Sequence, residues 1–405
     1  MRSRAVLVVN LMVVAMLSAC GKGDSAGDVV KIGHVAPLTG SISHIGRDNE
    51  NGARLAIEDA NAKGVLIDGK KVTFELVTED DKADPDTAKT IAQKMVDGKV
   101  AGVVGHLTSA TSIAAAKIYA DAGIPQISGS ATNPQYTAQG LKTSFRVIPN
   151  DTQQGSLMGN FIVYALQARR IAVIDDGTSY GQGLADEVQK AVQGTGAVIV
   201  ARERTLSDKA TDFTTVLTKI KAASPDVVFH GGQETTGAPL VKQMRELGIK
   251  SQFATGDAGC TPEFIKVAGK AADDVICSQP ALPVDEMPGA HVNNFTERFE
   301  KKFGTKIQLY APYTYDATSV LIAAMQKANS TDPAKYLPAL RSINHAGITG
   351  KIEFDPKGDI KTGFVTLYKM QCGKLDVLFV QKATDLMQSL QAWRENIPMV
   401  APCGR

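Results

Sequence analysis

Arg170-Ile-Ala-Val-Ile174-Asp-Asp-Gly-Thr-Ser-Tyr180-Gly-Gln-Gly183 decides the fold of this chain. Residues 170–174 are an apolar, β-branched run that reads as a strand. A loop rich in Asp, Gly and Ser follows, and from 182 to 193 apolar residues return at helical spacing. Strand, loop and helix then repeat. Further strands are predicted at 197–201, 227–230, 251–254 and 275–278. Helices at 212–223 and 238–247 separate them, with Gly248 as a C-cap for the last. Such alternation specifies a parallel sheet covered by helices on both faces.

The same rhythm precedes residue 170. Strands are predicted at 29–35, 71–78, 100–105, 126–128 and 145–148, and helices at 50–63, 85–97 and 112–122. The second of these helices has a clear start, with Asp84 as N-cap, Pro85 at the first helical position and Asp86 in the first turn. Two α/β lobes follow from this cadence. The remainder is less regular, with helices at 293–303 and 317–328 and strands at 348–354 and 364–368 around the turn Asp355-Pro-Lys-Gly358. It contains no linker of disordered composition, so it is expected to return to the two lobes and form a hinge of several crossing segments. The expected division is 29–149 with 280–356 for the first lobe and 150–279 with 357–382 for the second. Residues 383–405 form a C-terminal helix and tail of unassigned role.

At the N-terminus, Arg2 and Arg4 precede a mainly apolar run to Leu17, and Leu17-Ser-Ala-Cys20 closes it. This has the layout of a secretory signal over residues 1–19. It resembles the lipobox at which bacterial lipoproteins are cut and the cysteine, here Cys20, takes up lipid. An ordinary signal peptide with a chance cysteine is the plainer reading. Residues 20–28 would be a flexible tether. The chain beyond it would face the outside of the cytoplasmic membrane, held there by its lipid alone. Without the leader's two arginines, 42 basic residues balance 42 acidic ones. No basic stripe supports nucleic-acid binding. Cys260, Cys277, Cys372 and Cys403 are four thiols in an oxidising compartment, which allows three pairings. Proximity in sequence favours Cys260–Cys277 and Cys372–Cys403. No C-x-x-C or H-x-x-x-H suggests a metal.

Open parallel sheets bind ligands in loops at the carboxyl ends of their strands. The first lobe offers His34-Val-Ala-Pro-Leu-Thr-Gly40, His106-Leu-Thr-Ser-Ala-Thr111 and Gly129-Ser-Ala-Thr-Asn-Pro134, which are rich in hydroxyls. Ser109 stands at a helix start, where free N–H groups attract an anion, although Ser109 or Thr111 could equally be a simple cap. Ser130-Ala131-Thr132 is a second such station, and together they could hold one carboxylate. The second lobe offers Asp257 between Gly256 and Gly259, able to receive an ammonium or to stabilise a turn. Tyr180 could cover an apolar ligand or edge the core. Gly181-Gln-Gly183 is a partial dinucleotide fingerprint, with Asp186 in place of the last glycine. No cofactor is expected, and no nucleophile elbow or phosphate loop appears. A hydrolase built on Ser109 and His106 lacks an evident acid to orient the histidine. Asp80 and Asp81 read as a solvated strand end.

In order, these loops resemble those of the branched-chain amino-acid binding proteins of bacterial ABC importers, which are type I periplasmic binding proteins. Gly105-His-Leu-Thr-Ser109, Ser128-Gly-Ser-Ala-Thr-Asn-Pro134, Tyr180-Gly-Gln-Gly183 and Gly350-Lys-Ile-Glu-Phe-Asp355 carry the resemblance, with Val35-Ala-Pro-Leu-Thr-Gly40 and Asn51-Gly-Ala-Arg-Leu-Ala56. It implies two Rossmann-like lobes closing on an α-amino acid, Leu, Ile or Val, for delivery to ABC permease subunits by a monomeric, non-enzymatic receptor. It also implies residue roles. Ser109 and Thr132 would hold the ligand carboxylate, and the Ser130 carbonyl and Asp257 the ammonium. Leu107, Tyr180 and Tyr310 would enclose the side chain. Leucine-binding relatives often have glutamate at the place of Asp257 and tyrosines at those of Ile45 and Gln233. Gln233 would suit a polar ligand tail, so a receptor for amides, urea or aromatic acids is the alternative on the same fold.

Overall fold

A computed structural model describes residues 29–205, 210–289 and 294–385. The leader, Cys20, Cys403 and nearly all of the expected C-terminal helix lie outside these residues. Two sheets organise the chain. The first contains β1 (Val29–Ala36), β2 (Thr73–Asp80), β3 (Gly102–Gly105), β4 (Gln126–Ser128) and β5 (Ser144–Arg146). All are parallel, in the order β2-β1-β3-β4-β5. The second contains β6 (Arg170–Asp175), β7 (Val198–Arg204), β8 (Val227–Gly231), β9 (Gln252–Thr255) and β10 (Ile276–Gln279). These are parallel in the order β7-β6-β8-β9-β10. The order reverses beside β1 in one sheet and beside β6 in the other, and each reversal opens a crevice at the strands' carboxyl ends.

The second sheet is not purely parallel. β11 (Phe364–Gln371) pairs antiparallel with β10, and β12 (Lys374–Lys382) continues as a hairpin. The expected strand at 364–368 is therefore longer, and its partner was not foreseen. Residues 348–354 do not form one strand. Lys351–Ile352 pairs with His345–Ala346, and Phe354 makes a single bridge to Ile360.

Helices α1 (Ser43–Lys63), α2 (Pro85–Asp97) and α3 (Ser109–Asp121) flank the first sheet. Asp84 caps α2 by accepting from the Thr87 N–H, as its sequence predicts. α1 begins seven residues before the expected start at 50. Its first turns bury Asp48, Asn49 and Glu50, so no apolar stripe announces them. Glycine is needed there for close approach. A Cβ on Gly46 would stand 1.9 Å from the Pro37 carbonyl oxygen, and one on Gly52 2.1 Å from that of Ala311.

The second sheet is flanked by α4 (Asp151–Asn160), α5 (Ser179–Val192), α6 (Thr214–Ala223) and α7 (Glu234–Glu246). The chain then returns. α8 (Ala311–Ala328) packs Ala317, Val320, Leu321 and Met325 into one cluster with Val104, Ile127 and Phe145 of the first sheet. β11 and β12 place Val365, Leu367 and Leu378 among Ile171, Val173 and Phe229 of the second. We call these two packed units the first and second lobes. Cys260 and Cys277 form a disulfide with Cα atoms 5.4 Å apart. Cys372 is also disulfide-bonded.

Candidate functional site

The two crevices face each other across a cavity of about 440 Å³. Ile42, Ile45, Leu107, Thr108, Ser109, Ser130, Leu309 and Tyr310 line it from the first lobe. Tyr180, Gln233, Asp257, Ala258 and Thr261 line it from the second.

On the first lobe, β3 runs into α3 through His106, Leu107 and Thr108. Thr108 is the N-cap of α3, and its hydroxyl accepts from the Thr111 N–H at 3.2 Å. Neither Ser109 nor Thr111 caps the helix. Ser109 therefore keeps its hydroxyl at the cavity, beside first-turn N–H groups that no carbonyl of the helix can satisfy. The Ser130 hydroxyl donates to the Leu107 carbonyl at 2.9 Å and ties the two stations together. Behind them lies Arg146, fully buried, donating to the Ala131 carbonyl at 2.7 Å and the Asn133 carbonyl at 3.0 Å. Its charge is balanced by Asp359 at 2.5 Å. Asp359 follows the turn in which Asp355 accepts from the N–H groups of Lys357, Gly358 and Asp359. A turn over 200 residues away in sequence thus fixes the loop from Ser130 to Asn133. Ala131 and Thr132 stand behind the cavity wall, and the carbonyl of Ala131 is engaged by Arg146.

Asp81 corrects the reading of a solvated strand end. It is fully buried and meets His106 Nδ1 at 2.8 Å. This supplies the orienting acid that the sequence left unseen. His106 Nε2, however, meets the Tyr119 hydroxyl at 3.1 Å rather than Ser109. The Asp-His-Tyr chain braces the loop below Ser109 and offers the serine no base. Asp80 does take a loop role, accepting from the Leu38 N–H at 2.8 Å and the Thr39 hydroxyl at 2.6 Å.

The second lobe presents a carboxylate. Asp257 is 1% exposed. Its Oδ1 accepts from Gln154 Nε2 and from the Tyr180 hydroxyl, both at 2.8 Å, and its Oδ2 from the Tyr310 hydroxyl at 2.5 Å. Burial raises its pKa, and the donors Tyr310, Gln154 and Tyr180 oppose that shift. Tyr310 reaches across from the first lobe. Its own backbone is held by Asp48, a buried carboxylate that accepts from the N–H groups of Gln308, Leu309, Tyr310 and Ala311. Asp48, a buried acid of α1, therefore serves to aim Tyr310.

Gln233 stands at the N-cap of α7 with no side-chain cap bond. It lines both the cavity and a second, outer one of about 1060 Å³ that shares Ile42, Thr108, Ser109 and Tyr180 with the first. Nearby, His44 of α1 meets Glu234 of α7 at 2.9 Å, a charged contact between lobes. Glu234 raises the His44 pKa above its ordinary 6.5, chiefly through their direct contact.

Of the expected ligand residues, the fold brings Ile45, Leu107, Ser109, Ser130, Tyr180, Gln233, Asp257 and Tyr310 to one cavity. Sequence reasoning missed Ile42, Thr108, Ala258, Thr261 and Leu309 on its walls, and Gln154 behind Asp257. Thr108 was legible as a hydroxyl cap immediately before the helix start at Ser109. Gln154 carried no local signal, because its partner is 103 residues away. No described helix is long and apolar enough to cross a membrane.

Comparison with known proteins gives one family. Residues 29–373 match the periplasmic binding protein family. An amino acid binding protein of Pseudomonas aeruginosa is 36% identical over 363 residues, which cover 89% of this chain and 95% of that protein. The Leu/Ile/Val-binding protein homolog 1 of Brucella abortus is 34% identical with the same coverage. Among solved structures, the leucine binding protein LivK of Thermotoga maritima superposes with a TM-score of 0.79 at 28% identity, covering 87% of this chain and 98% of that one. LivJ of Streptococcus pneumoniae, in complex with isoleucine, gives 0.77 at 28% identity, with coverage of 88% and 100%. The chain belongs to the periplasmic binding protein family and has its type I fold.

Proposed function

We propose that this protein is an extracytoplasmic receptor that closes its lobes on a branched-chain α-amino acid and delivers it to an ABC permease. The observation that carries the reading is the polarity of the cavity. Hydroxyls and the start of α3 lie on one side, a buried carboxylate on the other, and Ile42, Ile45, Leu107, Leu309 and Ala258 between them. A zwitterion with an aliphatic side chain has that polarity. In this reading Ser109 and Thr132 hold the carboxylate, while Asp257 and the Ser130 carbonyl hold the ammonium. Tyr180, Tyr310 and Leu107 enclose the side chain, with Ile45 and Gln233 at its far end. The names of the relatives point the same way.

Enclosure is needed for affinity. Micromolar binding takes about 8 kcal/mol, and a leucine-sized ligand has a ceiling near about 13 kcal/mol. A half-site open to water falls short of that, because charge pairing there is screened. Closure removes the water. The arithmetic also bounds specificity, since one methylene is worth about 1–3 kcal/mol. Leucine, isoleucine and valine should therefore bind within two orders of magnitude of each other.

The receptor is read as a lipid-anchored monomer, with Cys20 as the lipid site. A thermal-shift panel of amino acids, amides, urea and aromatic acids, followed by calorimetry on the hits, tests the ligand class. Stabilisation by leucine, isoleucine and valine is expected. A response to amides or aromatic acids alone would move the protein to the other reading that Gln233 allows.

A further inference from the structure

Cys372 stands in the two-residue turn that joins β11 to β12, between Gln371 and Lys374, which pair across the hairpin. Both turn residues have positive φ, 52° at Cys372 and 76° at Gly373. Such a turn favours asparagine or aspartate before its glycine, and a cysteine there bears the steric cost of the left-handed region. Its sulfur accounts for its presence, because Cys372 is disulfide-bonded. Cys260 is paired with Cys277, and the chain has five cysteines, so the partner is Cys20 or Cys403. Cys20 lies nine positions before β1 of the first lobe and is the lipid site in the reading above, which leaves Cys403. A sheet edge lies beside this turn. β12 is the terminal strand of its sheet, and among the described residues no strand pairs with its outer side. Native proteins cover or blunt such an edge. On β12, Phe379 is half-buried and packs against the cluster that holds Leu157, Phe161, Leu367 and Leu378.

We propose that residues 386–405 are a strap that docks along β12 and over Phe379, pinned at its far end by a Cys372–Cys403 disulfide. The lengths agree. β12 runs nine residues away from the turn, Lys374–Lys382, which is about 30 Å. The strap must cover that distance in reverse with the 17 residues between Asp385 and Cys403. Leu386, Leu390, Trp393 and Ile397 recur at helical spacing on one face, Gln388, Gln391 and Glu395 fall on the opposite one, and Pro398 ends the pattern. Twelve helical residues from 386 to 397 rise about 18 Å, and the five from 398 to 402 reach about 16 Å when extended. The strap therefore spans the strand with a few ångströms to spare, its apolar face against Phe379 and the cluster beneath. The family match ends at residue 373, so the strap lies beyond it. The hairpin it pins begins at the hinge, where the Thr366 hydroxyl donates to the Ala281 carbonyl at 2.6 Å. It steadies the edge of the second lobe away from the ligand cavity, whose described lining ends at Tyr310.

The inference is independent of the ligand class and is tested on the whole mature protein, isolated from an oxidising compartment. Peptide mapping without reduction is expected to join the Cys372 peptide to the Cys403 peptide. Cys372 joined to any other cysteine would overturn the proposal. Trp393 is the only tryptophan in the chain, so its fluorescence reads the strap directly. Acrylamide is expected to quench it several-fold less in the oxidised protein than it quenches free tryptophan, because the ring is packed away from solvent. Quenching equal to that of free tryptophan would show a linked but undocked tail and refute the docking. Phe379→Ser should raise the quenching of Trp393 while the Cys372–Cys403 link persists. Unaltered quenching in that variant would place the strap elsewhere and sink the proposed surface. Should Phe379→Ser not fold, hydrogen exchange decides the matter. The amides of β12 are expected to exchange faster in Cys403→Ser than in wild type, and equal rates in the two proteins would count decisively against the strap.

Discussion

Replacing Asp257 should separate affinity from stability once shape is kept and only the charge is removed. The carboxylate gathers Gln154, Tyr180 and Tyr310 at 2.8, 2.8 and 2.5 Å. Its removal in Asp257→Ala leaves three donors without an acceptor and the ligand ammonium without its counter-charge. A hydrogen bond to a charged group is worth about 1.5–3 kcal/mol. The expected loss is therefore about 3 kcal/mol, or roughly a hundredfold in Kd. Asp257→Asn keeps the shape and should still lose at least about tenfold, since the charge is gone. Stability should move the other way. Burial raises the Asp257 pKa above 3.8, so the folded chain holds that proton more firmly than the unfolded one. The resulting stabilisation is complete below the unfolded pKa and is lost as pH rises through the folded one. Above its folded pKa a charged, buried Asp257 opposes folding. Asp257→Asn without ligand should then melt at or above the wild-type Tm. Isothermal calorimetry with leucine and differential scanning calorimetry measure the two quantities. A Kd within threefold of wild type in either variant, or affinity and Tm falling together in Asp257→Asn, would refute the reasoning.

Ser109→Ala should cost less than the Asp257 substitutions, because the N–H groups at the start of α3 remain; calorimetry showing the larger loss for Ser109 would reverse the ranking. His44 and Glu234 should slow ligand release more under acid than under alkali. The His44 pKa is raised by Glu234, so the contact is fully present below the ordinary histidine value of 6.5 and fades as pH rises through the raised one. Stopped-flow dissociation rates should rise across that window in wild type and stay flat in His44→Gln. Asp359→Ala should strand the buried Arg146 and cost about 3–5 kcal/mol of stability, read by urea denaturation, with weaker ligand binding as the Ser130–Asn133 loop loosens. A change under 1 kcal/mol would mean that Arg146 finds water or another partner.

The α/β alternation, the two lobes and the loops that line the cavity were legible because each depends on local pattern. Period, caps and turn residues act within a few positions of each other. Asp84-Pro-Asp86 fixed the start of α2 for that reason, and the loops after β1, β3 and β6 carried the family motifs in order. The start of α1 was hidden because its buried face is made of Asp48, Asn49 and Glu50 rather than apolar side chains. Gln154 and Asp151 were hidden because a polar residue after a strand reads as solvated unless its distant partners are known.

What the amino-acid sequence determined by itself was which loops hold hydroxyls and which holds an acid. Only the tertiary structure decided that these loops meet. It brought Tyr310 to Asp257 across 53 positions and Asp81 to His106 across 25, and it set Arg146 against Asp359 across 213. It also removed Asp151 from water. Burial is a property of the whole packed chain, and it is burial that raises the pKa of an ordinary acid.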